Sequence, residues 1–198
     1  MQPPPVAVAS CAVAFKEWAG VCDALLAGRQ SILLRKGGIR EGPGPGAFVP
    51  EHAEFWLYPT AVHQAQQGLR HPVEPAAPPP AGPGGSLAIR ALARVELIGF
   101  IRDEAALSAL EAFHVLTPET IHTRFHYRRP GLWVLGTRIW RREPPWTILA
   151  TAEHAGCKTW VQLEEALPTA GLVPVLDDDA WTGYLRRLRS VLAPSFSL

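Results

Sequence analysis

Residues 71–86 read His-Pro-Val-Glu-Pro-Ala-Ala-Pro-Pro-Pro-Ala-Gly-Pro-Gly-Gly-Ser, and no other segment constrains the chain as much. Proline removes the backbone donors that helices and sheets need, and almost no apolar side chain is present to anchor the segment in a core. It is therefore expected to be an extended connector between an N-terminal lobe, 11–70, and a C-terminal lobe, 87–198. The first lobe has too few elements to bury a core of its own. The two lobes are accordingly expected to share one sheet and one core, as a single domain over residues 1–198 with the connector crossing its surface. Such a loop is tolerable, because closure entropy costs only about 0.6 kcal/mol per doubling of length.

The hydrophobic pattern on either side predicts an α+β fold. Trp18, Val21, Cys22, Leu25 and Leu26 recur at helical spacing, predicting a helix from Ala14 that ends at Gly28, with Lys16 and Glu17 on its solvated face. Ser31 to Arg35 and Phe48 to Tyr58 read as strands of a hairpin, the second stopped by Pro59, after which Thr60 would cap a short helix to Leu69. Beyond the connector, Leu87, Ile89, Ala91, Ala93, Val95 and Leu97 alternate with Arg90, Arg94 and Glu96, the period-two pattern of a strand with one wet face. Asp103 and Thr117-Pro118 are start signals for two helices, the first carrying Leu107, Leu110 and Phe113. A strand from Leu132 to Trp140 should end before Glu143-Pro-Pro145. Thr159-Trp-Val-Gln162 reads as a capping box opening a helix, and the chain closes with a helix after Asp177-Asp-Asp179 that buries Trp181, Leu185, Leu188 and Leu192. The order lacks βαβ alternation and a Gly-rich fingerprint, so a mixed, mainly antiparallel sheet or small open barrel with peripheral helices is expected.

Composition narrows the functional classes. A net charge of +1 over 198 residues means that an anionic partner can be attracted only by local clustering. Cys11, Cys22 and Cys157 are odd in number and lack CxxC spacing, which fits a reducing compartment better than a disulfide framework. Met1 to Ser10 lacks the charged and apolar regions of a signal peptide, and no apolar run approaches the ~20 residues of a membrane span. A cytoplasmic protein without membrane attachment or cofactor is expected.

The segment Thr120 to Arg142 carries Arg124, Arg128, Arg129, Arg138, Arg141 and Arg142 with no acidic residue, interleaved with Tyr127, Trp133 and Trp140. Guanidinium groups neutralise phosphates and aromatic faces stack on bases, so the pattern points to nucleic acid. The plainer reading is a solvated helix followed by a charged edge strand. Arg35 and Lys36, beside the Gly37-Gly38 turn, could contribute further cations. His122 and His126 have helical metal-pair spacing, but Thr-Arg-Phe lies between them where a zincin carries a glutamate, and arginines flank them. A second metal option, Glu41, Glu51, His52 and His63, requires those four to converge. Cys157 with His154 resembles an activated thiol, but neither an oxyanion hole nor an orienting partner accompanies it, and a structural cysteine is the simpler reading. Helix capping is likewise the simpler reading of Asp177-Asp-Asp179.

Several segments together resemble a bacterial domain-of-unknown-function family, the one numbered 1802. They are Phe15-Lys-Glu-Trp18, Gly28-Arg-Gln-Ser-Ile-Leu-Leu-Arg-Lys-Gly-Gly-Ile39, the His52 to Gln64 stretch with Phe55, Pro59, Thr60 and His63, and Gly156-Cys-Lys-Thr-Trp-Val161. The resemblance covers most of the chain outside the proline-rich tracts and implies a setting near DNA, as in restriction or defence systems. The order of elements is also similar to small β-barrels of the PUA and EVE type, which cradle an unusual or flipped base.

The favoured expectation is a nucleic-acid-associated binding module, DNA before RNA, in which Arg35, Lys36, Arg124, Arg128, Arg129, Arg138 and Arg141 meet phosphate. Tyr127 or Trp140 would stack on an exposed base. The alternatives are a metal-dependent hydrolase or nuclease using Glu41, Glu51, His52 and His63, and a structural protein-interaction subunit. Whether the protein catalyses a reaction is left open.

Overall fold

Two long antiparallel strands, β4 (Ser86–Ile101) and β5 (Leu132–Leu149), form the centre of the fold. The computed structural model describes residues 9–36, 52–61, 68–70, 79–80, 82–156 and 158–193. Around this pair are β1 (Ser10–Trp18), β2 (Ile32–Arg35), β3 (Glu54–Thr60), β6 (Trp160–Pro168) and the short β7 (Val173–Pro174). The strand order is β2-β5-β4-β3-β1-β6, with β7 added to β5. Among the described residues only β1 and β3 pair in parallel; the other ladders are antiparallel. The result is an α+β fold with an open, mixed sheet of seven strands. Strands from before residue 71 (β1, β2 and β3) and from residue 86 onward (β4 to β7) are interleaved in it.

The sheet has two apolar faces. The larger core packs Phe15, Phe55, Leu34, Leu135 and Ile139 against α1 (Ala19–Leu26), a 3-10 helix (Glu104–Phe113), α2 (Pro118–His126) and α3 (Asp178–Leu192). The smaller core lies inside the sheet's curl and holds Cys11, Ala14, Trp56, Tyr58, Ile89, Leu92 and Val161. There Trp146 Nε1 donates to the Pro168 carbonyl at 3.3 Å, drawing β5 toward β6, although no ladder joins the two. No helix is long and apolar enough to cross a membrane among the described residues.

Local signals placed several elements well. Asp103 accepts from Ala105 N at 3.0 Å and opens the helix carrying Leu107, Leu110 and Phe113, which winds as 3-10. Thr117 caps α2 with Pro118 in its first turn, and Asp177 accepts from Ala180 N at 2.8 Å at the start of α3. Gly28, at φ +68°, ends α1 in a Schellman arrangement: its N–H bonds Leu25 O and the Arg29 N–H bonds Ala24 O.

Other expectations are corrected. The helix begins at Ala19, not Ala14; the preceding residues form β1, because Ala14 to Trp18 pair with Trp56 to Thr60. Glu17, expected on a solvated helix face, is 4% exposed. The two N-terminal strands form no hairpin: β2 pairs with β5, while β3 lies between β1 and β4 and continues through Pro59 to Thr60. Strand β5 does not stop before Glu143. Its register against β4 slips between Ala91↔Arg141 and Ile89↔Trp146, so Pro144 and Pro145 fall in a bulge where no ladder donor is needed. Thr159 to Gln162 open no helix; Trp160–Pro168 is strand β6, with Val161 and Leu163 buried and Gln162 and Glu164 exposed. Residues 71–78 and 81 of the connector, most of the expected helix between Thr60 and Leu69, and the Gly37-Gly38 turn lie outside the described residues.

A buried histidine links α2 to the segment before the connector. His114 Nδ1 accepts from Leu116 N at 3.2 Å and faces Arg70 Nη2 at 3.3 Å, so the ring is held neutral. Burial, then the charges of Arg70 and Arg124, lower its pKa to about 4. Between pH 6.5 and 4 the unfolded chain takes up a proton that the folded ring refuses, so stability is lost as pH falls through that window. The loss is expected to be about 3 kcal/mol in urea titrations, and His114→Phe should flatten it.

Candidate nucleic-acid interface

Helix α2 places its residues by period. Ile121 and Phe125, four apart, enter the larger core, which leaves Thr120, Arg124 and Tyr127 along one flank and His122 and His126 along another. The first flank borders a cavity of about 450 Å³ lined by Lys36, Thr117, Thr120, Thr123, Arg124 and Tyr127, among others.

Arg124 dominates this wall. Its guanidinium lies over the Trp18 ring, 4.0 Å from its centre, and Nη1 donates to the Leu34 carbonyl at 3.1 Å. Its pKa falls to about 10, with burial the main cause and Arg35 adding to it, while Glu17 opposes the shift. The side chain thus remains cationic at neutral pH. Arg35 packs over the Phe15 ring at 4.6 Å, bonds Thr159 Oγ1 at 2.7 Å and lies 3.9 Å from the Glu17 carboxylate. Lys36 Nζ donates to the carbonyls of Phe125 at 2.6 Å and Gly131 at 2.7 Å, and to that of Arg129. Its ammonium closes the C-terminal end of α2, where carbonyls lack helical partners, and burial lowers its pKa.

Tyr127, 56% exposed, stands where α2 ends, and the Arg128 guanidinium lies 5.1 Å from its ring centre. Arg128 has φ +63°, and both it and Arg129 project into solvent. Arg35, Lys36, Arg124, Tyr127, Arg128 and Arg129 therefore gather at one end of α2.

Arg138, Trp140 and Arg141 lie elsewhere. Ile139 points into the larger core with Phe125, so Trp140 points to the opposite face and packs on the smaller core. The guanidiniums of Arg94 and Arg138, neighbours across the ladder, lie 5.1 and 5.2 Å from its ring centre. Arg94 is paired with Glu54 at 2.6 Å, and Arg138 with Asp178 at the start of α3. Arg141 donates to the Leu26 carbonyl at 2.7 Å, at the end of α1. The sheet thus divides the basic segment.

Of the second metal option, Glu41, Glu51 and His63 lie outside the described residues, as does Cys157. His52 rests edge-on against Trp160 at 5.1 Å. His154 Nδ1 accepts from Thr151 N at 3.3 Å, and its carbonyl accepts from Lys16. Sequence spacing singled out His122 and His126 but not Glu104, 18 residues before the first of them, whose two oxygens meet their Nε2 atoms at 3.2 and 3.1 Å. No motif connects a 3-10 helix to the next α-helix, so only the fold reveals this group. Trp18 and the threonines of the cavity were also missed, since each reads as an ordinary core or capping residue.

The sequence matches the family described as "Domain of unknown function (DUF1802)" over residues 14–187. No curated protein matches it. Among solved structures, ASCH from Zymomonas mobilis is similar at 12% identity and a TM-score of 0.43, covering 77% of this chain and 87% of its own. A mutant of the same protein, ZmASCH, is similar at 11% identity and a TM-score of 0.44, covering 89% and 94%. At these values the likeness specifies neither ligand nor reaction.

Proposed function

The chain belongs to the DUF1802 family, and we propose that it is a nucleic-acid-binding module that seats one nucleotide in the cavity beside α2. The observation that carries this reading is Arg124, a largely buried guanidinium that stays cationic and lines an open cavity with Tyr127. Its burial is costly, and Arg35 adds like charge that Glu17 partly offsets. A phosphate entering the cavity would place an opposite charge beside this guanidinium, on the side away from Glu119. Tyr127 and the Arg128 guanidinium offer stacking and cationic surface at the mouth.

The cavity's size argues for a single strand or an extruded nucleotide. At about 450 Å³ it lies within the range of small-molecule pockets and is far too small for a duplex. Arg138, Trp140 and Arg141 belong to a second, weaker contact surface in this reading, because the guanidiniums of Arg138 and Arg141 already serve Asp178 and the Leu26 carbonyl. The preference for DNA over RNA and a place in a restriction or defence system rest on the family resemblance.

Fluorescence anisotropy with short labelled strands tests the proposal. Three phosphate contacts, by Arg124, Arg128 and Arg129, give a log-log salt slope of about −2 for single strands. Arg128→Asn with Arg129→Ala, the asparagine chosen for the positive φ at position 128, should weaken binding about tenfold and flatten that slope. Tyr127→Ala should weaken it by a similar factor without changing the slope. The proposal fails if neither single-stranded DNA nor single-stranded RNA binds, or if binding ignores salt. Strands of equal sequence in the two chemistries decide the DNA preference.

A further inference from the structure

We infer that Glu104, His122 and His126 form a binding site for a divalent transition metal of the zinc class, with one coordination position open to solvent. The site lies on the other flank of α2 from the nucleotide cavity and does not depend on the nucleic-acid reading.

The geometry begins with the helix. Residues four apart stand one above the other, and the two imidazoles have ring centres 4.4 Å apart. The 3-10 helix, fixed by its Asp103 cap, brings the Glu104 carboxylate against both rings, one oxygen 3.2 Å from His122 Nε2 and the other 3.1 Å from His126 Nε2. One ligand atom from each of the three side chains falls within 4.8 Å of the other two. Four-coordinate zinc, with bonds of about 2.0–2.1 Å, spaces its ligand atoms by roughly 3.3 Å. Each carboxylate oxygen already lies at that spacing from one imidazole, and a small turn of the exposed carboxylate would bring one oxygen to both. The third, between the rings, closes by small rotations of exposed side chains.

The donor set selects the metal. Two imidazoles and a carboxylate suit zinc, cobalt or nickel, whereas magnesium and calcium prefer oxygen ligands throughout. The flanking arginines of α2 oppose a cation less than the sequence suggested, while Arg70 and Glu111 in the adjoining cavity bring opposite charges. Arg124 lies two residues from each histidine, about 200° around the helix, and its guanidinium is held over Trp18 on the far side. The Arg128 guanidinium is turned toward Tyr127. The exposed imidazole–carboxylate pairs contribute little stability by themselves, so the ligands can be removed without threatening the fold. His122 and Glu104 also line a cavity of about 210 Å³ with Arg70, Ser108 and Glu111, which leaves room for water or another ligand in the open position.

Tag-free full-length protein titrated with Co²⁺ tests the site, with Zn²⁺ added afterwards as competitor. The wild type is expected to develop the visible absorption of four-coordinate cobalt, saturating at one equivalent and erased by zinc. Glu104→Gln and His126→Ala should each bind at least about tenfold more weakly, with circular dichroism and apo melting temperature unchanged. Zinc should raise the melting temperature of the wild type and not of His122→Ala. Wild-type cobalt binding no stronger than in the His122→Ala/His126→Ala double variant overturns the inference, as does a spectrum without four-coordinate bands.

Discussion

Trp56→Ala is expected to lower the unfolding free energy by about 4 kcal/mol, measured by urea denaturation with the slope unchanged. The indole is completely buried in the smaller core, where Cys11, Tyr58, Leu92 and Val161 belong to the same cluster. It lies on β3, which pairs with β1 in parallel and with β4 in antiparallel fashion, so the cavity would open at the middle of the sheet. Its Nε1–H also donates to the Cys11 carbonyl at 3.1 Å, so truncation leaves a buried acceptor unsatisfied. Trp56→Phe keeps most of the volume and should recover more than half of the loss. A variant with alanine at position 56 that unfolds within 1 kcal/mol of wild type, on the ~1 kcal/mol scale of surface changes, would mean that the curled face does not depend on this side chain.

Glu17→Gln should cost about 3 kcal/mol although it changes little in shape. Glu17 accepts the Trp18 N–H at 2.8 Å through one oxygen and lies 3.9 Å from Arg35 through the other. It also raises the pKa of Arg124, against the effects of burial and Arg35. Glutamine can keep the backbone hydrogen bond but not the charge, so the repulsion between Arg35 and Arg124 is less well opposed. Thermal denaturation should show the deficit at low salt and a partial recovery with sulfate or a short oligonucleotide. Affinity for single strands should hold or rise, because a carboxylate competing for Arg124 has gone. Equal melting temperatures for the two proteins would show that the guanidiniums do not rely on this carboxylate.

Much of the fold was legible locally. The alternation from Leu87 to Leu97, the stripe of Trp181, Leu185, Leu188 and Leu192, the capping residues Asp103, Thr117 and Asp177, and the terminating Gly28 each carry their own period or backbone preference. The errors share a cause. Ala14 to Trp18 and Thr159 to Gln162 contain helix-compatible patterns, yet they pair with each other's strands, more than 140 residues apart in sequence. Pro144 and Pro145 signal an end to a strand unless the register slips opposite them, and that slip is a property of β4.

The candidate sites divide in the same way. Sequence alone determined which residues carry charge, aromatic surface and imidazole, and it placed His122 beside His126 because helical spacing is local. Tertiary structure decided their company. It brought Arg35, Lys36, Arg124 and Tyr127 to one end of α2, sent Trp140 to the opposite face of the sheet, and set Glu104 against the two histidines. Periodicity fixes the direction of a side chain relative to its own element. What that side chain meets depends on pairings and packing between elements far apart in the chain.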